Sequence, residues 1–239
     1  TPSTSFQPGS IDGHCAAVVG WVEGHRVVGA DPHDAKDGPW NAAAVLHGGR
    51  VVGSYRKQAL PNYGVFDEKR YFDPGHPEQP LYRIAGVDVA VTVCEDIWVD
   101  DGPAVAAARA GASIVVNLNA SPFHQGKQRE RLTMLRRRSG DVGVPIVYVN
   151  QVGGQDELVF DGGSVALDAS GEIACELPRF VEAEAVIDLE VPSPSSIDPT
   201  TIVVSERPAA RPERRAEAPM TAATPVGPTD DSASGEVWS

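Results

Sequence analysis

The chain has 239 residues, of which 41% are hydrophobic and 22% are charged, enough for one large domain or one domain with a tail. Its formal net charge of −13 disfavours a nucleic-acid or anionic-membrane surface, because both would repel it. No apolar run approaches the roughly 20 residues that span a bilayer. The three cysteines, Cys15, Cys94 and Cys175, show no zinc-binding spacing, which favours a reducing cytoplasm and no structural metal.

The first part of the chain predicts strands separated by loops. Residues 1–10 are expected to be irregular, residues 15–23 predict a buried strand, and residues 29–39 are rich in turn formers. Residues 41–57 predict a β-hairpin that turns at two adjacent glycines. Residues 57–75 look like a loop, yet they hold four aromatic side chains, which indicates a binding surface.

The middle of the chain alternates strands and helices, as expected for an α/β fold with helices on one face of a sheet. Strands are predicted at 81–86, 87–94, 113–122 and 144–154, and helices at 102–112 and 127–143. The second helix reads as cationic and amphipathic, with Leu132 and Leu135 as its apolar points. A three-stranded meander is predicted at 162–168, 171–177 and 182–190.

From Val191 onward the composition becomes that of a linker, rich in Pro, Ser, Thr, Ala and Glu. The exception is the strand-like segment 200–206, which is expected to dock on a sheet edge.

Cys94 ends the apolar run "GVDVAVTVC" and is followed at once by Glu95 and Asp96. A cysteine in this position can be a small buried core residue, or it can be a nucleophile, because ligand crevices open at the carboxyl ends of strands in α/β sheets. Cys15 and Cys175 lie inside apolar or alternating patterns and are expected to be structural.

A nucleophilic cysteine needs a positive group and a base nearby. His124, after "NASPF", is the best of the six histidines, although no elbow typical of a Cys-His amidotransferase is present. Lys57 ends a predicted strand. Alone it reads as a solvated charge, but together with Cys94 it indicates a specific site.

Four blocks carry a resemblance to a known family. The blocks are "KQALPNYGVFDEKRYFDPG", "VAVTVCEDIW", "VNLNASPF" and "GGQDELVFDGGSVALD". They resemble the nitrilase superfamily of carbon–nitrogen hydrolases, and most closely the glutaminase domain of glutamine-dependent NAD synthetases, over residues 18–189. The fold implied is an α-β-β-α sandwich that lacks its first strand–helix–strand unit.

The resemblance implies a Cys-Lys-Glu mechanism. Cys94 would be the nucleophile, and the ammonium of Lys57 and the backbone N–H of Glu95 would stabilise the oxyanion. Glu68 would support the triad, although a solvated loop carboxylate is the alternative. The family's general-base glutamate lies upstream of the lysine in a "PE" context that this sequence lacks, and Glu23 matches a later strand. The resemblance therefore implies an N-terminally incomplete domain.

For the substrate, glutamine, the resemblance implies that Tyr63 and Phe66 form pocket walls. Glu95 and Ser121 would bind its α-amino or α-carboxylate group, and Lys127 is a weaker candidate for the α-carboxylate, because a lysine at a helix start usually faces solvent.

The implied organisation is a hydrolase domain at 1–190 and a linker at 191–239 that leads toward a synthetase domain of the same parent chain. That domain would use ATP and Mg²⁺, whereas no cofactor or metal is expected in this chain. The family also implies a cytoplasmic homo-oligomer, and the isolated chain is expected to fold poorly. A stand-alone nitrilase-type amidase and an inactive scaffold are the alternatives.

Overall fold

The computed structural model describes residues 15–24, 38–194 and 200–205. The expectations for residues 1–10, for most of the turn-rich segment and for most of the Pro-rich tail lie outside the described residues. Within the described part, a three-stranded sheet, a seven-stranded sheet and two α-helices pack in the order small sheet, large sheet, helices. The prediction of an α/β sandwich with helices on one face of a sheet is confirmed.

The small sheet has three antiparallel strands in the order β1-β2-β3. They are β1 (Ala17–Glu23), β2 (Trp40–His47) and β3 (Arg50–Arg56). Gly48 and Gly49, which join β2 to β3, have φ values of 56° and 74°, a left-handed conformation that glycine adopts without steric penalty. The predicted hairpin is confirmed.

The prediction of a buried strand at residues 15–23 is wrong about its burial and its start. β1 begins at Ala17, and most of its residues are exposed, as is Cys15 before it. β1 pairs with β2 alone, and Val19 and Trp21 keep 45% and 40% of their surface exposed. An apolar run indicates a strand but does not say whether another layer covers it.

The large sheet has seven strands in the order β11-β10-β7-β6-β5-β4-β12, and β8 and β9 form a separate ribbon. The remaining strands are β4 (Tyr82–Ile84), β5 (Val87–Val93), β6 (Ile114–Asn119), β7 (Ile146–Asn150), β8 (Val152–Gln155), β9 (Leu158–Asp161), β10 (Val165–Leu167), β11 (Ile173–Glu176) and β12 (Ile202–Val203). β5, β6 and β7 are parallel, so their carboxyl ends meet at one edge of the sheet. Their crossovers contain α1 (Pro103–Arg109) and α2 (Lys127–Val142).

Two strand predictions fail in part. The single strand predicted at 144–154 breaks at Gln151 into β7 and β8, because the chain leaves the sheet to pair with β9. The strand predicted at 182–190 is irregular. Its apolar side chains are covered only in part, since Ile187 and Leu189 are half-buried whereas Val186 is 97% exposed. The docking of a late strand is confirmed, since β12 pairs in parallel with β4 at the sheet edge.

Apolar cores lie on both sides of the large sheet. One core joins it to the small sheet through side chains of β2, β3 and β5, and the other joins it to the helices. On α2, Leu135 is fully buried and Leu132 packs against the helix-side core, as predicted. However, Arg131 and Arg138 are only 1% exposed, so part of the cationic face predicted for α2 points inward.

Among the helices of the described residues, none is both long and apolar enough to cross a membrane.

Candidate active site

Cys94 lies where β5 gives way to a short 3-10 turn over Cys94–Ile97. Its φ of 46° is left-handed, and for a residue with a side chain such a backbone costs on the order of 1–3 kcal/mol. The thiol is free and the residue is partly exposed. Strain of this kind is concentrated at functional sites, so the geometry favours a nucleophile over a core cysteine.

Lys57 follows β3 directly, and its side chain is fully buried. Its Nζ donates to Oε1 and Oε2 of Glu68 at 2.7 and 2.6 Å. Its backbone is fixed on both sides, because its N–H donates to Asn41 and its carbonyl accepts from Gly75, each at 2.8 Å. Lys57 is therefore not the solvated charge considered as an alternative, and Glu68 is its bonded partner.

The charges around Cys94 act in opposite directions. Burial raises the pKa of Cys94 to about 11, the ammonium of Lys57 lowers it, and the carboxylates of Glu68, Glu95 and Asp96 raise it. At neutral pH the resting group is therefore a thiol, and a base must take its proton before it can attack. Lys57 is the neighbouring charge that favours the thiolate.

Tyr63 contacts both Glu95 and Phe66. The Tyr63 hydroxyl donates to Glu95 Oε1 at 2.8 Å, and the Tyr63 and Phe66 rings meet edge to face with centroids 5.7 Å apart. Burial and this bond to Glu95 raise the pKa of Tyr63 to about 12, so the hydroxyl keeps its proton. The structure thus brings together three of the residues predicted for the substrate pocket.

Ser121 follows β6 and accepts hydrogen bonds from Arg131, which belongs to a buried ion pair. Arg131 Nη2 donates to the Ser121 carbonyl at 2.9 Å, and its Nε and Nη2 lie 3.4 and 3.3 Å from the Ser121 hydroxyl oxygen. Arg131 pairs with Asp161 at 2.7 Å, and both side chains are almost fully buried. Because a guanidinium only donates, the Ser121 oxygen accepts from it and the hydroxyl proton is left for another acceptor.

Tyr148 on β7 has a buried hydroxyl. Burial raises the pKa of Tyr148, Arg131 and the Ser121 hydroxyl lower it, and Cys94 and Asp161 raise it. The ring therefore lies within electrostatic reach of both Arg131 and Cys94.

Two predicted or considered residues point elsewhere. Lys127 Nζ lies 4.4 Å from the Trp98 ring centroid and 3.4 Å from Glu130, neither of which was predicted for the site. Its role in substrate binding stays a prediction. Glu23 bonds Arg56 and Ser54, and because neighbouring strand residues face opposite ways, Arg56 directs it away from the face that carries Lys57.

Sequence reasoning missed Asp96 and Arg131. The sequence shows Asp96 as a second carboxylate after Cys94 but predicts no role for it, and it predicts Arg131 only as part of a cationic amphipathic helix. The type of a charged residue does not show whether its side chain is buried, and both of these are. Within the described residues, no group of three or more His, Cys, Asp or Glu side chains could hold a metal ion.

Residues 14–194 match the family model for carbon–nitrogen hydrolases. The chain belongs to the carbon–nitrogen hydrolase family. The matched range contains the whole of the predicted site, from Lys57 to Lys127.

Two curated relatives of this chain carry the same name. Glutamine-dependent NAD(+) synthetase from Thermotoga maritima is 46% identical over 159 residues, which cover 66% of this chain and 27% of the relative. The enzyme of the same name from Xanthomonas campestris pv. campestris is 42% identical over 173 residues, covering 72% of this chain and 29% of the relative. The hydrolase thus spans less than a third of the length of these relatives.

Solved structures of similar fold include an enzyme of the same name and an amidase of the nitrilase superfamily. Glutamine-dependent NAD+ synthetase from Acinetobacter baumannii, in complex with ADP, aligns with a TM-score of 0.62 at 40% identity, covering 70% of this chain and 30% of that one. An amidase variant of the nitrilase superfamily from Nesterenkonia sp. AN1 aligns with a TM-score of 0.54 at 28% identity, covering 69% of this chain and 57% of that one. The predicted family and nitrilase-like fold class are confirmed.

Proposed function

We propose that this hydrolase is the glutaminase domain of a glutamine-dependent NAD synthetase, and that it releases ammonia from glutamine for the amidation of nicotinic acid adenine dinucleotide. The observation that carries the proposal is the bonded Lys57–Glu68 pair within electrostatic reach of the strained Cys94. The names and identities of the curated relatives support the choice of glutamine and of NAD synthesis.

The first half-reaction forms a thioester. A glutamate base, which the family resemblance expects upstream of Lys57, takes the proton from Sγ of Cys94, and the thiolate attacks the carboxamide carbon. The C–S bond forms while the carbonyl oxygen becomes an oxyanion. The Lys57 ammonium and the backbone N–H of Glu95 stabilise that negative charge, because both donors are held in place before the reaction. The C–N bond then breaks, the proton passes to nitrogen, and ammonia leaves.

The second half-reaction returns the free thiol. Water attacks the carbonyl carbon of the glutamyl thioester while the base takes a proton from it, the C–S bond breaks, the proton passes to Sγ, and glutamate is released. Covalent chemistry at a cysteine has a parallel in the Nesterenkonia amidase, one structure of which shows the acetamide moiety of fluoroacetamide added covalently at the active-site cysteine.

Glutamine recognition follows from donors and acceptors. Glu95 can accept from the α-ammonium, and the Ser121 hydroxyl, whose oxygen already accepts from Arg131, can donate to the α-carboxylate. Tyr63 and Phe66 supply the walls. Lys127 is a further candidate for the carboxylate. A zwitterionic ligand needs this combination of an acceptor and donors.

The remaining organisation is part of the proposal. Residues 1–190 form the hydrolase domain, and residues 191–239 connect it to a synthetase domain of the same parent chain. That domain takes ATP and Mg²⁺. The protein acts in the cytoplasm as a homo-oligomer. These statements rest on the relatives and the resemblance.

A stand-alone amidase is the second candidate, favoured by the alignment with the Nesterenkonia amidase. The two candidates differ in substrate. Ammonia release is measured from glutamine, asparagine, butyramide and acetamide with the full-length protein. The proposal expects strong preference for glutamine, since loss of a zwitterion's buried contacts is heavily penalised. Equal or better turnover of the simple amides would favour the amidase.

A further inference from the structure

Asp96 is a fully buried carboxylate two residues beyond Cys94. Each of its oxygens accepts two hydrogen bonds. Oδ2 accepts from the Tyr55 hydroxyl at 2.8 Å and from the Val93 N–H at 3.0 Å. Oδ1 accepts from the backbone N–H groups of Gln58 and Ala59 at 3.1 and 2.8 Å.

The three backbone donors belong to two separate segments. Gln58 and Ala59 directly follow Lys57, whereas Val93 directly precedes Cys94. The small sheet supplies the first segment and the large sheet supplies the second. One carboxylate therefore ties the two strand ends that carry the predicted lysine and nucleophile.

We propose that Asp96 is a positioning residue, which fixes the Lys57 ammonium relative to the Cys94 turn and the N–H of Glu95. This role rests on the proposed function, in which those two donors bind the oxyanion. An oxyanion site works only when its donors are held in place before the charge develops. A displacement of about 1 Å can lower the rate by roughly 100-fold.

The chemistry of the site requires a carboxylate. Four donors converge on two oxygens, and a carboxylate accepts at both. In Asp96→Asn, the side-chain NH₂ would face two of those donors, so one strand end would lose its attachment. The substitution leaves the shape of the side chain nearly unchanged, so apolar packing around position 96 should be kept. Its effect should therefore come from the lost hydrogen bonds.

A matched pair of tyrosines separates this role from general stability. Tyr55 and Tyr82 are both deeply buried in the core between the sheets. The Tyr55 hydroxyl bonds Asp96, whereas the Tyr82 hydroxyl makes no hydrogen bond among the described residues. Tyr55→Phe removes one of the four bonds to Asp96, and Tyr82→Phe is the control.

The experiment compares the full-length wild-type protein with Asp96→Asn, Tyr55→Phe and Tyr82→Phe. Glutamine hydrolysis gives kcat and KM, and labelling of Cys94 by fluoroacetamide, followed by mass spectrometry, gives a second rate that does not require glutamine to be the substrate. Thermal unfolding reports the fold of each variant.

For Asp96→Asn we expect kcat to fall by roughly 100-fold with KM little changed, because the loss appears mainly in the transition state. Tyr55→Phe should show a smaller fall of the same kind, and Tyr82→Phe should match the wild type. Asp96→Asn removes a carboxylate that raises the pKa of Cys94, so the change of charge alone would speed labelling at neutral pH. Slower labelling in Asp96→Asn, with a smaller effect in Tyr55→Phe, would therefore report a displaced Cys94 turn. Unchanged kcat in Asp96→Asn would overturn the inference, as would labelling that speeds up as charge alone predicts, or equal losses in the two tyrosine variants.

The two proposals can fail separately. A wild-type protein that does not hydrolyse glutamine, but whose Cys94 is labelled more slowly in Asp96→Asn, contradicts the glutaminase proposal and supports the positioning role. Glutamine turnover that is unchanged in Asp96→Asn and Tyr55→Phe supports the glutaminase proposal and contradicts the positioning role.

Discussion

At the scale of single residues, the candidate site is a balance of charges around one thiol. Cys94 has a backbone that a core residue would not need, and burial raises the pKa of its thiol to about 11. Lys57 opposes that rise and is itself held by Glu68. Neutralising either Lys57 or Glu68 should therefore change both the labelling rate of Cys94 and the rate of glutamine turnover.

Lys57→Met keeps the length of the side chain and removes its charge. Since Lys57 lowers the pKa of Cys94, the variant should have a still higher thiol pKa, and Cys94 should be labelled more slowly by iodoacetamide at every pH below about 11. Turnover of glutamine should fall by roughly 100- to 1,000-fold with the loss of an oxyanion donor. Peptide-resolved labelling distinguishes Cys94 from the other cysteines. The exposed Lys69 provides the control, Lys69→Met, and equal effects of the two changes would contradict the assignment.

Glu68→Gln should separate reactivity from turnover. Glu68 raises the pKa of Cys94, so its neutralisation should lower that pKa and speed labelling at neutral pH. Turnover should nevertheless fall, on the order of 100-fold, because Lys57 loses the partner that orients it. Asp67→Asn is the control, since Asp67 is exposed and pairs with Arg70 at 3.6 Å. Slower labelling in Glu68→Gln would show that the sign of the effect is wrong.

At the scale of elements, the sequence predicted what depends on local pattern. The hairpin at Gly48-Gly49, the parallel β5-α1-β6-α2-β7 order and the docking of β12 were all predicted correctly. Burial was predicted less well, because it depends on what packs against an element. β1 is exposed despite its apolar run, and the segment 182–190 forms no strand despite its alternation.

The candidate site shows the same division. Motifs in the sequence predicted Cys94, Lys57, Glu68 and Glu95. In the structure Lys57 bonds Glu68, and the charges of Lys57, Glu68 and Glu95 all shift the pKa of Cys94. Asp96 could not be given a role from sequence, because it accepts hydrogen bonds from Tyr55, Gln58 and Ala59, which lie about 40 residues earlier in the chain.

Gly75 tests how closely an element must approach Lys57. A methyl group there would overlap the backbone carbonyl of Arg56, and the Gly75 N–H bonds the Lys57 carbonyl. Gly75→Ala should therefore lower the free energy of unfolding by about 1–3 kcal/mol and reduce turnover, since backbone cannot move as a side chain can. Chemical denaturation measures the first and ammonia release the second.

Gly140 on α2 is the matched control, because a methyl group there meets nothing within 4 Å. Gly140→Ala should stabilise the protein by about 0.5–1 kcal/mol through helix propensity and leave turnover unchanged. A stable and fully active Gly75→Ala variant would show that the close approach does not position Lys57.

At the scale of the whole molecule, three layers bring the site together. The small sheet carries Lys57 and the large sheet carries Cys94, so the site exists only when the sheets pack on each other. Apolar side chains remain exposed on β1, including Val22 at 62%. The expectation that the isolated chain folds poorly stays a prediction, and it agrees with a surface of this kind.

The most direct test of the glutaminase proposal uses the full-length protein and two nitrogen sources. NAD formation is measured with glutamine and with ammonium chloride for wild type, Cys94→Ala and the control Cys175→Ala. Cys94→Ala should abolish glutamine hydrolysis and glutamine-dependent NAD formation, while ammonia still supports NAD formation at the wild-type rate and Cys175→Ala supports both. Hydrolysis of glutamine by Cys94→Ala would contradict the assignment of the nucleophile, and wild-type protein that forms no NAD from either source would contradict the proposed function.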